Sequence, residues 1–294
     1  MKRNQPWTAS GFLAPFALLF LTFTVVPVFF GVWISLNKWH VLDKTPTFIG
    51  GENYSNAIHD DLFWFALVRT GLFVLLAVPI GNALSLLFAV ALNQKFRGTT
   101  FYKLAFYMPV LLSVTAVAVL WKWLYSADWG LLNYYINVIR AWIGQPKTTI
   151  AWIGDPKYAM SSIALMSVWW GAGGNMLIYL AALKAVPKEM LEAAELDGAS
   201  PWQRFWKTSI PTIKPALLFG LVMSVIAASQ VFGQSYVMTG GGPAYSTLTV
   251  VLYMYQQGFG QYQLGYASAV AYLLFLVIFG LTLVQFKLLG IKRS

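Results

Sequence analysis

The chain has 294 residues, 58% of them hydrophobic and 10% charged, with a mean hydropathy of +0.63 and a net charge of +10. That balance excludes a soluble globule of this size, which could not bury six apolar stretches each long enough to cross about 30 Å of hydrocarbon. With no cysteine, disulfides, thiolate nucleophiles and Cys-ligated metals are excluded too.

In chain order the predicted membrane spans are Gly11–Leu36, Leu62–Leu92, Lys103–Tyr125, Met160–Leu183, Thr212–Met238 and Leu264–Leu289. Runs this long lack the alternation of barrel strands, and a helix satisfies every backbone amide within its own segment. The expected class is therefore an all-α integral membrane protein with six transmembrane helices. Met1, Lys2 and Arg3 resemble the start of a signal peptide, but the apolar run that follows exceeds the roughly 7–15 residues of a signal core and ends in no small-x-small site. It reads as the first span. Residues 1–61 then form the first transmembrane helix and an external loop, and residues 62–294 form a five-helix core that contains the loop 185–213. Between the third and fourth spans, Leu131–Ile143 carries apolar residues at 131, 132, 135, 136, 139, 142 and 143, with Asn133, Asn137 and Arg140 opposite. This pattern predicts an interfacial helix on the outer face.

Thirteen lysines and arginines fall on one side of the spans: Lys2, Arg3, Lys95, Arg97, Lys103, Lys184, Lys188, Arg204, Lys207, Lys214, Lys287, Lys292 and Arg293. Five fall on the other, Lys38, Lys44, Arg140, Lys147 and Lys157, while Arg69 and Lys122 lie just inside spans. The richer side is the cytoplasmic one, which puts both termini and the loop 185–213 inside. The net charge is thus a topology signal. No basic cluster is interleaved with exposed aromatics, so nucleic-acid binding is not expected.

All ten acidic residues lie in connecting segments: Asp43, Glu52, Asp60, Asp61, Asp128 and Asp155 outside, Glu189, Glu192, Glu195 and Asp197 inside. An ion-coupled carrier needs an ionisable or coordinating group near the bilayer midplane, and none is present, which weighs against the alternative of a secondary solute carrier. His40 and His59 read as solvated residues of the first external loop. No G-x-x-x-x-G-K-[ST], H-E-x-x-H or G-x-S-x-G occurs, and no catalytic or metal-binding set converges at one depth. A pump built on this chain draws its energy from another subunit.

The loop 185–213 reads as two short helices hinged at a glycine. Pro187 suits a first helical turn, and Glu189 and Glu192 sit near its positive dipole end. The helix runs to about Asp197, with Met190, Leu191 and Ala194 on an apolar face and Lys188, Glu192 and Glu195 on a polar one. Gly198 ends it at a position of positive φ, and Ser200, Pro201 and Gln203 restart it with a capping box. Trp202, Phe205 and Trp206 gather on one face before Pro211 and Pro215 lead into the fifth span. One reading is a connector anchored in membrane lipid by Trp202 and Trp206. The acidic residues, which an anionic leaflet repels, favour docking into a protein instead.

"EAAELDG" followed by "TSIP" resembles the EAA loop, E-A-A-x-x-x-G-x(9)-I-x-L-P, of permease subunits in binding-protein-dependent ABC importers. Glu192, Ala193, Ala194, Gly198 and Pro211 match, Ile210 stands at the Leu position, and Thr208 departs from the Ile position. The resemblance implies that this loop is the coupling helix seated in a cleft of a cytoplasmic ATPase subunit, with Glu192, Ala193, Ala194, Gly198 and Trp202 as coupling residues. "FIGGENY", "FYKLAFYMPVLLS", "LWKWLY", "WWGAGGNMLIYLAAL" and "MTGGGPAYSTLTVVLYMY", in this order, are similar to stretches of carbohydrate importers of the maltose and glycerol-3-phosphate permease type, in their shorter six-span form. That likeness implies the type I ABC importer permease fold and alternating access. It also implies a heterodimer with a second six-helix permease subunit, a cytoplasmic ABC ATPase dimer that holds ATP and Mg, an extracytoplasmic sugar-binding protein, and a place in a prokaryotic cytoplasmic membrane. The chain itself is then no enzyme and binds no cofactor or metal.

Gly171, Gly173 and Gly174 leave a bare patch in the fourth span beside Trp169, Trp170 and Asn175, and Gln230 and Gln234 stand at i, i+4 on the fifth. Small residues in membrane helices commonly admit a neighbouring helix. Aromatic faces and neutral amides also suit a sugar. By the resemblance these spans line the cargo site, with Trp169, Gly174, Asn175, Gln230 and Gln234 as the expected substrate path. "GGGP", Gly240–Pro243, reads as a flexible external turn, and the resemblance implies that Gly241, Gly242 and Pro243 lie near a gate closed by the binding protein.

Overall fold

The computed structural model describes residues 6–94 and 96–289. Both chain ends, and with them Lys2, Arg3, Lys292 and Arg293 of the charge asymmetry, lie outside the described residues, as does Lys95. Pro6–Phe20 (α1), a π-helical turn Leu21–Val25 and Val26–Ser35 (α2) follow one another, and within them Phe12–Ser35 is the first span, as expected of Gly11–Leu36. An antiparallel ribbon of Asn37–Lys38 (β1) and Thr47–Phe48 (β2) and the helix Glu52–Ile58 (α3) lead to Asp61–Asn93 (α4). Asp61 opens α4 and so heads a span rather than lying in a loop. Next come Thr99–Leu111 (α5), Val114–Leu124 (α6), Leu131–Trp142 (α7) and Pro156–Lys184 (α8). They are followed by Lys188–Leu196 (α9), Pro201–Arg204 (α10), Ile210–Ser229 (α11), Gly233–Thr239 (α12), Val250–Tyr255 (α13) and Leu264–Leu289 (α14).

Among the described residues five helical stretches are long and apolar enough to cross a bilayer, and α5 with α6 makes six if the pair is one broken span. The third span is therefore not the single helix Lys103–Tyr125. It breaks after Leu111 and turns by 97°. Leu112 is extended at φ −77°, ψ 146°, and the Ser113 hydroxyl accepts from the Ala116 N–H at 3.3 Å to start α6. The fifth span is likewise not one helix from Thr212 to Met238. It ends at Ser229, and α12 begins at Gly233, where an added Cβ would lie 2.9 Å from Val114 Cγ1 at the head of α6. Hydropathy is blind to both breaks because an average over about 19 residues hardly registers a single Ser113 or Gln230 in an apolar run.

Packing divides the chain into two units. One ends at Trp64 and takes in Tyr253–Leu276; the other holds Phe65–Leu252 and the chain from Val277. In the first, the buried Asn53 donates through Nδ2 to Ser35 O and Asn37 O, each at 2.9 Å. Asp60 Oδ2 accepts from the hydroxyls of Tyr253 and Tyr266, the latter at 2.6 Å, and Oδ1 accepts from the Leu62 N–H at 2.9 Å. Burial opposes ionisation of Asp60, but the hydroxyls of Tyr253 and Tyr266 and the N–H groups of Leu62 and Phe63 outweigh it, and its pKa falls below the ordinary 3.8.

In the second unit, α7 occupies the expected place, but its polar residues do not face water. Asn133, 5% exposed, donates to Ala127 O and Ile150 O and accepts from Ile150 N–H and Trp152 Nε1–H. Asn137 bonds both the N–H and the carbonyl of Thr148, and Arg140 Nε donates to Pro146 O at 2.8 Å. The polar side is a clasp on the following loop, which leaves Tyr134, Tyr135, Ile139 and Trp142 outward. A helix so arranged presents apolar bulk to its surroundings and keeps its amides for the protein.

The depressed pKa of Asp60 fixes the sign of a pH effect. Its contribution to stability is complete above the unfolded carboxyl pKa and is lost as pH falls through the lower folded value. The wild-type chain should therefore unfold at a higher temperature than Asp60→Asn at neutral pH, with the margin closing as pH falls below 3.8. Thermal unfolding followed in detergent across that range tests it, and a margin that persists in strong acid contradicts the assignment.

Candidate functional site

Two features stand out in the second unit: an outward elbow and a cavity within the helices. Pro187 is the cap of α9 rather than its first helical residue, with φ −59° and ψ 131°. The helix closes with paired turns, Gly198 N–H to Glu195 O at 2.9 Å and Ala199 N–H to Ala194 O at 3.0 Å, around Gly198 at φ +79°. This is a Schellman ending, which favours a residue without Cβ at that glycine. The expected capping box opens α10: Ser200 Oγ accepts from Gln203 N–H at 3.3 Å, and Gln203 Oε1 accepts from Ser200 N–H at 2.8 Å. A π-helical turn, Phe205–Ser209, then joins α10 to α11.

Leu191, Phe205 and Ile210 seat the elbow on the buried Leu183, Val186 and Ile213. Glu189, Glu192, Ala193, Glu195 and Asp197 stay exposed, and Ala194 is half-buried. Met190, expected on the inner face, is 46% exposed, while Leu196 and Trp202 are 89% and 70% exposed. Arg204 bridges the hinge to Glu195. At the surface such a pair contributes at most about 1 kcal/mol, so it orients the two helices more than it stabilises them. The outward side therefore combines carboxylates with large apolar groups, the composition of a protein contact rather than of a solvated loop.

The cavity, about 420 Å³, lies among α4, α8, α11 and the residues after the break in the fifth span. Gly174, Asn175 and Gln234 of the expected path line it; Trp169 and Gln230 do not. Trp169 is 40% exposed and packs its ring on Trp121, whereas Trp170 faces the cavity and donates through Nε1 to Leu112 O at 3.2 Å. Gln230 terminates α11 at φ −103°, ψ 18°, so the helix needed to put it one turn from Gln234 is absent. The three glycines divide between the two readings. A Cβ on Gly173 would lie 2.2 Å from Phe106 O, so that glycine admits α5, whereas Gly171 and Gly174 face open space.

Asn175 Nδ2 donates to Ser224 Oγ at 2.8 Å and to Asn82 Oδ1 at 3.2 Å, with Gly220 O at 3.4 Å. The Tyr179 hydroxyl also donates to Asn82 Oδ1, and Gly220 leaves room for that ring. Ser85 Oγ donates to Ala172 O at 2.7 Å, fastening α4 to α8 beside the cavity. Among the described residues Gln234 has no protein hydrogen-bond partner, so its amide is free for whatever enters. Every polar group on the cavity wall is neutral.

The turn Gly240–Pro243, expected to be flexible and external, is held by hydrogen bonds. Gly240 and Gly241 take φ +62° and +96°, and Thr247 Oγ1 donates to Gly242 O at 2.8 Å. Thr247 also meets Thr239 Oγ1 at 2.6 Å, and Ser246 to Val250 are all buried. Gly241 sits against Leu248 and Leu252, which leaves Pro243 at a fixed, half-exposed point of the loop.

The sequence profile of the family described as "Binding-protein-dependent transport system inner membrane component" matches residues 63–288. The chain belongs to that family. It is 35% identical over 294 residues to a probable ABC transporter permease protein, YesP, of Bacillus subtilis, covering 97% of this chain and 91% of that one. It is 32% identical over 281 residues to the arabinooligosaccharides transport system permease protein AraP of Halalkalibacterium halodurans, covering 95% and 86%. Its fold is similar to that in the crystal structure of a bacterial ABC transporter for import of the acidic polysaccharide alginate, with a TM-score of 0.81, 20% identity, and coverage of 99% and 98%. The permease is thus a multi-span subunit of the inner membrane.

Asn82, Ser85 and Ser224 of the permease's cavity, and Tyr179 behind Asn82, escape a reading built on glycines and glutamines. Their signal is plain in retrospect: each is a polar residue set in an apolar run, as in "PIGNALS" around Asn82 and Ser85. The contrast between two neighbouring glycines gives a test. Gly173→Ala should destabilise the permease by about 1–3 kcal/mol, since the Phe106 backbone must shift. Gly174→Ala should leave the unfolding midpoint within about 0.5 kcal/mol of wild type while narrowing the cavity. Thermal unfolding of both in detergent checks the pair, and equal destabilisation contradicts the division.

Proposed function

We propose that this permease carries a sugar or oligosaccharide, as one of two six-span membrane subunits of an ATP-driven importer. The observation that carries the reading is a cavity walled by neutral amides, hydroxyls and a tryptophan, with the Gln234 amide unpaired, in a chain whose relatives include a permease named for arabinooligosaccharides. Sugars present apolar faces and uncharged hydrogen-bonding edges, and that wall supplies partners for both. Asn175, Gln234 and Gly174 serve as cargo contacts, with Trp170 in the place expected of Trp169.

The elbow couples the permease to a cytoplasmic ATPase dimer that holds ATP and Mg, and this chain binds neither. Glu192, Ala193, Ala194, Gly198 and Trp202 form its contact, with both termini on the same side of the membrane. The loop at Gly241, Gly242 and Pro243 meets the extracytoplasmic sugar-binding protein. ATP binding closes the ATPases, moves the elbow and turns the cavity from one side of the membrane to the other.

The test is uptake by the assembled importer in proteoliposomes. Glu192→Lys, which reverses a charge at a docking face, should weaken the ATPase contact by about 2 kcal/mol, or about thirtyfold, and lower ATP-dependent uptake in step. Gly198→Asp, which forces a side chain into the left-handed region, should also lower uptake while the chain stays in the membrane. Normal uptake by both variants defeats the coupling role. Uptake that survives ATP depletion but collapses with an ion gradient supports a secondary carrier instead.

A further inference from the structure

A second cavity, of about 780 Å³, opens where α4 and α8 end and α5 and α9 begin. Arg97, Lys184 and Lys188 line it, and no carboxylate does. Lys103, one turn into α5, stands near Lys184, so a fourth cation lies beside the three that line the pocket. Among the described residues the one ion pair is Arg204 with Glu195, so no described carboxylate pairs with any of the four. Asn93 and Gln94 add neutral amides to the wall. Like charges gathered at one opening repel one another unless an anion joins them.

The surroundings say which anion. The pocket sits at the ends of two membrane-crossing helices, where headgroups meet water. Beside it on α5, Phe101 and Leu104 are 70% and 64% exposed, and Phe96 in the preceding turn is 42% exposed. An inorganic phosphate has no use for that apolar flank, whereas a phospholipid lays its acyl chains along it. The acidic outward side of α9 is a separate surface, since Leu191, which lines the pocket, is the residue α9 turns into the core.

We propose that this pocket is a binding site for an anionic phospholipid, with the phosphate among Arg97, Lys103, Lys184 and Lys188 and the acyl chains along the exposed side of α5. The site ties a lipid headgroup to the root of the elbow, and the assignment does not depend on what the permease carries. Basic pockets at helix ends on the cytoplasmic side take anionic headgroups for the same electrostatic reason.

The full chain, purified in detergent and offered equal amounts of phosphatidylglycerol and phosphatidylcholine, tests this by native mass spectrometry of retained lipid. Wild type should keep phosphatidylglycerol in preference, and millimolar inorganic phosphate should not displace it. Arg97→Gln with Lys184→Gln should lower that retention about fivefold for each charge removed, from about 1 kcal/mol per cation near an anionic surface. Arg97→Lys with Lys184→Arg should restore it. Equal retention of the two lipids by wild type, or displacement by phosphate, overturns the proposal, and this comparison decides even if the glutamine variant fails to fold. Absence of lipid preference in wild type, together with loss of ATPase co-purification in the glutamine variant, reassigns the pocket to protein docking and also overturns it.

Discussion

Where a membrane helix breaks, the backbone groups it frees have no water to turn to, and each left unpaired in hydrocarbon costs several kcal/mol, as a rough scale. This permease breaks two spans and answers with side chains from neighbouring elements. At the break in the third span, Trp170 Nε1–H reaches Leu112 O. At the break in the fifth, Thr249 Oγ1 donates to Val231 O at 2.8 Å. The breaks are thus over-determined by contacts far away in sequence. The break in the fifth span also borders the 420 Å³ cavity, which Val231 helps to line, and Trp170, the partner of Leu112 O, lines the same cavity. Irregular backbone is tolerated in a bilayer where it is buried in protein or lines a cavity, and Val231 at the break in the fifth span does both.

The cavity wall follows from the same economy of charge. A carboxylate at this depth would need a counter-charge within the chain, and the acidic residues instead sit at or beyond the ends of the spans. The polarity that remains is carried by Asn82, Asn175, Ser224 and Tyr179, which bond mainly to one another and so cost little to keep in the dry interior. Their network closes most donors and acceptors on itself. Gln234, beyond the break, is left to face the lumen without a partner, so the interruption of the helix is also what supplies the cavity with an uncommitted amide.

What the sequence discloses and what it hides divide along the range of the forces involved. The elbow was legible almost residue by residue, because caps act between neighbours: the Ser200–Gln203 box and the left-handed Gly198 are where local chemistry puts them. The existence of the spans was legible because hydropathy sums over many residues, and for that same reason their breaks were not. Gln230 and Gln234 looked like one face only while the helix between them was assumed continuous. The clasp of Asn133 and Asn137 and the rigid Thr247 loop were hidden for another reason, since a polar residue gives no sign of whether water or a distant carbonyl will satisfy it. Gly173 and Gly174, adjacent and identical, take opposite roles because only the third dimension tells which one meets Phe106.

The elbow and the cavity share one packed body. Leu191, Phe205 and Ile210 of the elbow bear on Leu183 and Ile213, and the same cluster continues through Leu180 and Tyr179 to Met176. Tyr179 then holds Asn82, and Asn175, the neighbour of Met176, holds Ser224 and Asn82. Close-packed side chains compress little, so a displacement at the elbow's seat is passed on as a movement of helices rather than absorbed. The amides at the far end change partners only when α4, α8 and α11 move relative to one another. A push on the elbow, on the proposed reading, therefore acts on the hydrogen bonds that set the width of the cavity, with no charge crossing the membrane to do so.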